Sequence, residues 1–204
     1  MSFSPIPFRC KVESIKICRV SGPDSEDFLQ RLLTNDIKQI AEKEMQLSSW
    51  CNIKGRVSIL LRVIRYQDYF MLLVDDFNLE KLFQALNKFV FNSNVTITNL
   101  SDNFRIYVGL NFKIGKDSNI IIKENHLNWE IEPTAEKSHD PRESDAYRDI
   151  TPYAIYCINN LIPFLSENLC DKFLPQEINL EQLGGLSFNK GCFPGQEIIA
   201  RVKY

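Results

Sequence analysis

The chain has no pair of cysteines spaced two residues apart, and only two histidines among its 204 residues. The usual structural zinc spacings are therefore excluded, and no Cys/His cluster is left to hold a metal. No uncharged apolar run approaches the roughly 18 residues of a membrane-spanning helix. The amino terminus, MSFSPIPFRC, lacks the basic-then-apolar order of a secretory leader. Charge of one sign is not in excess either. The 24 basic and 26 acidic residues give a formal net charge of −2, so no global field draws the protein to nucleic acid or to a membrane. Repeats and low-complexity tracts are also missing. What is there is an ordinary soluble composition, 44% hydrophobic and 25% charged, sufficient for one large domain or two small ones. Six cysteines are scattered along it. Cys10, Cys18, Cys51, Cys157 and Cys170 sit among apolar neighbours and read as small buried hydrophobes, which fits a reducing cytoplasm.

Val- and Ile-rich residues from about Lys11 to Val20 predict a strand. Asp24 with Asp27 resembles a capping box opening a helix through Phe28, Leu29, Leu32 and Leu33, which Thr34-Asn35-Asp36 ends. Met45 to Val74 predicts antiparallel strands with turns at Lys54-Gly55 and Gln67-Asp68. An amphipathic helix is expected over Asn78–Phe91, and strands over Val95–Thr98, Phe104–Leu110 and Ile120–Ile122. Strands and helices mix without the regular alternation of a parallel sheet, which argues an α+β class. Residues 1–131 form the first region and 132–150 a polar loop or linker. Residues 151–204 are a helical segment expected to pack back on the first region. Helices are expected from Thr151 to about Asn160, over Ile178–Leu183, and from Pro194 to Val202. His139, Asp140 and Glu143 lie in the polar loop, where a solvated segment is a better reading than a metal site.

Three places carry candidate chemistry. Arg56, Ser58 and Arg62 share one face of a predicted strand. That face is either solvent-exposed or a basic stripe toward an anionic ligand, because arginine forks match carboxylate and phosphate geometry. Asn35 and Asp36 either make a turn or contact a ligand. The octapeptide Lys190-Gly191-Cys192-Phe193-Pro194-Gly195-Gln196-Glu197 puts a thiol beside a lysine at an expected helix start. Both features favour thiolate, the nucleophilic form. Gln196 and Glu197 are placed to cap that helix or to hold a polar ligand.

The run from Leu183 to Arg201, LGGLSFNKGCFPGQEIIAR, closely resembles the signature of the YgfZ family. These are folate-binding proteins related to the glycine-cleavage T-protein. Phe173-Leu174-Pro175-Gln176-Glu177-Ile178-Asn179-Leu180 matches the family's lead-in to that signature. Leu33-Thr34-Asn35-Asp36 and Cys51-Asn52-Ile53-Lys54-Gly55-Arg56 are similar to its first helix end and second strand pair. The resemblance implies a GcvT/YgfZ-like fold of mixed antiparallel sheets and packed helices, with a channel that binds tetrahydrofolate. It implies a role in assembling or maintaining iron–sulfur clusters that affects tRNA modification indirectly. Partners would then be folate and iron–sulfur enzymes or assembly factors, with no direct nucleic-acid or membrane contact. Cys192 and Lys190 are the matching functional positions, and Asn35, Asp36, Arg56, Arg62, Gln196, Glu197 and Arg201 the expected folate contacts.

The chain departs from its relatives in three respects. Transferring T-proteins carry paired aspartates shortly after the turn glycine, whereas Gly55-Arg56-Val57-Ser58-Ile59-Leu60 has no carboxylate. Cys157-Ile158-Asn159-Asn160-Leu161 stands where relatives show an Arg and a Gly before Ile162-Pro163. Relatives continue into a C-terminal β-barrel domain, which is expected to be lacking after Tyr204; a frayed tail or a homodimer contact is the expectation there. An accessory protein is thus favoured over an aminomethyltransferase, or over a partner-binding protein that takes no folate.

Overall fold

The computed structural model describes residues 7–112, 120–124, 126–134 and 149–203. In chain order its elements are β1 (Phe8–Lys11), β2 (Ile15–Ser21), α1 (Ser25–Gln30), β3 (Met45–Cys51), β4 (Val57–Tyr66), β5 (Tyr69–Asp75) and α2 (Asp76–Phe89). β6 (Thr96–Asn99), β7 (Phe104–Leu110), β8 (Ile120–Glu124), β9 (Leu127–Pro133), α3 (Thr151–Asn159) and α4 (Gln196–Lys203) follow. Two antiparallel sheets result, one ordered β3-β4-β5-β2-β6 and the other β1-β7-β9-β8. The α+β class is as the sequence predicts. His139, Asp140 and Glu143 lie outside the described residues, and among the described ones no group of His, Cys, Asp and Glu is set to hold a metal.

The single strand expected from Lys11 to Val20 is two strands in different sheets. Cys10 and Val12 are buried at even positions and Ile17 at an odd one. A straight strand cannot turn both parities to one core. The chain therefore turns at Glu13-Ser14, and β1 pairs with β7 while β2 pairs with β5 and β6. Asp24 does not cap α1; its carboxylate accepts from the Asn94 backbone N–H at 2.6 Å. α1 stops at Gln30, and Leu33 instead bridges to Trp50. The helix expected over Ile178–Leu183 is only a 3-10 turn at Gln176–Ile178. Asn179 takes φ +65°, which ends it, while its side-chain amide donates to the Leu161 carbonyl.

The layers follow from which faces are apolar. Ile17, Ile64, Met71 and Leu73 of the five-stranded sheet meet Val108, Ile122, Trp129 and Ile131 of the other, with Tyr153 and Cys157 of α3 closing the side. On its opposite face Val20, Ile59, Leu61, Val63 and Leu72 pack under Phe28 and Leu29 of α1 and Leu82 and Leu86 of α2. A third cluster joins Leu47, Cys51, Val57 and Leu60 to Leu174, Leu180, Leu186, Phe193 and Ile199 from the carboxyl-terminal segment. β4 is therefore buried on both faces up to Ile64, and its Ser58 and Arg62 are not solvent-facing. No helix among the described residues is long and apolar enough to cross a membrane.

Candidate functional site

The carboxyl-terminal signature is built onto two earlier segments, and the first is Leu33–Asp36. Lys190 Nζ donates to the carbonyls of Leu33 at 2.6 Å and Asn35 at 2.8 Å. The Asn35 side-chain amide donates to the Leu47 carbonyl at 2.9 Å and the Gly184 carbonyl at 2.6 Å. Thr34 Oγ1 donates to the Gly185 carbonyl at 2.9 Å, and Ser187 N–H to the Thr34 carbonyl at 3.0 Å. Each of these groups is polar and largely buried, so each needs a partner, and the signature supplies it. Asp36 stays local, accepting from Gln30 Nε2 and from the Lys38 N–H.

The second segment is the β3–β4 turn. Gly55 and Gly195 both have positive φ, at +72° and +78°. A methyl group on Gly195 would lie 2.5 Å from the Asn52 carbonyl oxygen and from the Gly55 backbone. The two chains therefore meet backbone to backbone, an approach only glycine permits. The same conformation removes Gly195 from the helical region, so α4 begins at Gln196 and not at Pro194 as the sequence suggests.

Between these anchors Cys192 is exposed and Phe193 beside it is buried. Cys10, Cys18 and Cys51 are buried, and burial pushes their thiols up to about 12. Burial also raises Cys157 and the half-buried Cys170. Native protein at neutral pH is thus expected to show one fast-reacting thiol, one slow one, and four that react only in denaturant. Following a chromogenic disulfide reagent with time checks this, and a fast phase that survives Cys192→Ser contradicts it.

Lys190 directs two of its three N–H donors to the Leu33 and Asn35 carbonyls. Desolvation pulls its pKa down to about 8, against a smaller upward pull from Asp36. Below pH 8 folded and unfolded chains both carry the proton. Between about 8 and 10.5 the unfolded chain keeps it and the folded chain releases it. The contribution of this group to stability therefore rises with pH across that window. The neutral amine still has two N–H donors for its two carbonyls. Denaturant titrations from pH 7 to 10 should show the stability of wild type gaining on Lys190→Met as pH rises; a constant difference would contradict the assignment.

The remaining predicted residues are dispersed. Arg56, immediately before β4, and Arg62, within it, are six residues apart, which is about 20 Å at strand rise. Arg56 donates to the Lys172 carbonyl and, at 3.3 Å, to Glu177. Arg62 enters the space between the sheets, where Nε donates to the Glu124 carboxylate at 2.8 and 3.0 Å. Trp129 Nε1 donates to the same carboxylate at 2.9 Å, and the guanidinium lies 4.8 Å from the Trp129 ring centre. Burial disfavours the charge on Arg62, and the carboxylate more than offsets it. Arg62 Nη2 is buried without a partner. Gln196 is partly buried at the start of α4, and Glu197 and Arg201 are exposed on it.

Two sites escape the sequence. A cleft of about 160 Å³ is lined by Met45, Gln46, Leu47, Glu124, Ile162, Leu183 and Gly184, and Gln46 Nε2 is buried without a partner. Glu124 and Gln46 are 78 residues apart, and no local motif joins them. The carboxylate missing after Gly55 is supplied from a distance by Asp171, φ +61°. Burial raises its pKa, but hydrogen bonds from Ser58, Lys81 and Asn52 outweigh this and hold it below the usual range. A carboxylate so held is a poor proton acceptor.

Residues 10–108 match the GCVT N-terminal domain. The chain is 30% identical to the tRNA-modifying protein YgfZ of Edwardsiella ictaluri, over 91% of this chain and 63% of that protein. It is 25% identical to the YgfZ of Aliivibrio fischeri strain MJ11, over 90% and 63%. The chain thus spans a little under two thirds of the length of these curated relatives. The crystal structure of the glycine cleavage system aminomethyltransferase T from Bartonella henselae superposes with a TM-score of 0.51 at 18% identity, over 61% of this chain and 41% of that one. At that identity the likeness speaks for the fold. The signature is docked on the Leu33–Asp36 segment and the β3–β4 turn, and the matched domain together with the similarity to YgfZ proteins supports a YgfZ/GcvT-like family.

Proposed function

We propose that the protein binds tetrahydrofolate at the cleft between its two sheets and acts in the cytoplasm as an accessory factor. On this proposal it assembles or maintains iron–sulfur clusters in enzymes and so affects tRNA modification indirectly. The observation that carries the ligand is the orphaned amide of Gln46, a residue on the lining of a small cleft that Glu124 also lines. A buried donor without a partner is costly and marks a place where a ligand or water completes the set. The pterin ring of a folate offers the complement, since its carbonyl accepts from Gln46 and its ring N–H groups donate to the free lone pairs of Glu124. At about 160 Å³ the cleft is smaller than a whole small-molecule site of about 300–1,000 Å³, so it takes one ring system and leaves the rest of the folate outside. The cellular role rests on the relatives' designation as tRNA-modifying proteins and on the exposed Cys192 within the family signature.

Isothermal titration of tetrahydrofolate into the protein tests the ligand. Binding is expected, with Gln46→Leu weakening it about tenfold, or about 1.4 kcal/mol. p-Aminobenzoylglutamate, which lacks the pterin, should give no heat. Absence of heat with tetrahydrofolate at high micromolar concentration, or equal binding by Gln46→Leu, rejects the cleft as the site. For the cellular role, Cys192→Ala in cells lacking the protein should fail to restore cluster-dependent tRNA modification; full restoration rejects Cys192 as the acting group.

A further inference from the structure

A groove of about 430 Å³ opens on the other side of the five-stranded sheet. Phe28, Arg31 and Leu32 form one wall, Lys88, Phe89, Phe91, Asn92 and Ser93 the other, and Pro194 of the signature its edge. Two aromatic rings stand in solvent there, Phe89 at 50% and Phe91 at 92% exposure. Phe89 is braced from behind by Trp50, with ring centres 5.6 Å apart. Both charged side chains on the lining, Arg31 and Lys88, are basic and exposed, and Arg31 is oriented by Ser93 at 3.2 Å. Exposed aromatics beside arginine are the composition of a protein interface, where a few such side chains carry most of the binding energy.

We propose that this groove is a docking site for a protein partner that presents a large apolar side chain flanked by aspartate or glutamate. The volume accepts one or two large side chains, and the two cations match the flanking carboxylates. Pro194 ties the groove to the signature, so the docked segment lies beside the loop that carries Cys192. A nucleic-acid strand also combines negative charge with stacking rings, but it needs a continuous basic track. α1 interrupts any such track. Glu26 and Asp27 lie within the five residues before Arg31, engaged by Arg65 at 2.8 Å and Lys38 at 2.7 Å. A short acidic segment needs only the two cations of the groove.

The test uses the protein without folate, so its failure is separate from that of the folate cleft. A fluorescein-labelled peptide with Phe-Leu at its centre and two Asp/Glu residues on each side is titrated by anisotropy. Three probes accompany it: one with Lys/Arg flanks, one with an Ala-Ala centre, and a uridine decamer. The acidic aromatic peptide is expected to bind at least tenfold more tightly than the other three and to weaken as salt is raised. The double variant Arg31→Glu/Lys88→Glu, whose exposed positions leave the melting temperature close to wild type, should lose at least tenfold in that binding. Equal binding of acidic and basic peptides, no binding at all, or an unchanged affinity in the folded double variant overturns the proposal. Tighter binding of the decamer overturns it as well, in favour of nucleic acid.

Discussion

Glu124→Leu is expected to lower stability by about 3–5 kcal/mol, because it strands the Arg62 guanidinium between two sheets. The pair has side-chain exposures of only 11% and 13%, so water replaces only a small part of what the lost carboxylate supplied. Trp129 Nε1 loses its acceptor in the same change. At about 2–4 °C per kcal/mol for a chain of this size, the melting temperature should fall by roughly 6–20 °C. The double variant Arg62→Met/Glu124→Leu should recover most of the loss, since an apolar pair of similar volume is often no worse than a buried ion pair. Calorimetric melting of both variants and wild type decides the matter. A single variant that melts within 2 °C of wild type would show that the bridge is screened by solvent. Glu124 also lines the proposed ligand cleft, so Glu124→Leu should abolish the tetrahydrofolate heat as well.

Gly195→Ala should be nearly as damaging, for a backbone reason. Its φ of +78° costs an L-residue about 1–2 kcal/mol. The new methyl group would then meet backbone atoms of Asn52 and Gly55 at 2.5 Å, and backbone cannot rotate away. Overpacking of this kind adds about 1–3 kcal/mol. Two neighbouring glycines serve as controls. Gly184 has φ +70° but nothing within 4 Å of an added methyl, so Gly184→Ala should incur only the conformational cost. Gly191 has neither constraint, so Gly191→Ala should change stability by less than about 0.5 kcal/mol. Denaturant unfolding should give the order 195, 184, 191 from most to least harmful. Hydrogen exchange should show residues 193–203 and the β3–β4 turn loosening together only in Gly195→Ala. Equal effects at 195 and 184 would mean that the two turns do not touch.

Much of the framework is legible in the chain because it depends on local period. The β3–β5 meander follows from alternation and from turns at Lys54-Gly55 and Gln67-Asp68, and α2 from its apolar stripe. β9 was also available: Leu127, Trp129 and Ile131 alternate with Asn128, Glu130 and Glu132. Two buried glutamates disguise it as a polar segment, and Arg9 from β1 reaches both, at 2.7 and 3.5 Å. Asn35 and Lys190 were visible as residue types. Their joint purpose was not, because their partners are backbone carbonyls up to 157 residues away.

The sequence by itself determined the α+β class, the family signature, the cysteines' apolar settings and the position of the one thiol among polar neighbours. Those follow from short-range pattern. Only the tertiary structure decided that β4 is buried on both faces, so that Arg62 becomes a paired charge between sheets and not part of a surface stripe with Arg56. It also decided that Asp171 supplies the carboxylate which the β4 neighbourhood lacks, and that Lys190 serves as an anchor for Leu33 and Asn35. Burial and pairing are properties of what the chain brings together in space, and a buried charge or carbonyl accepts whichever distant partner the packing delivers.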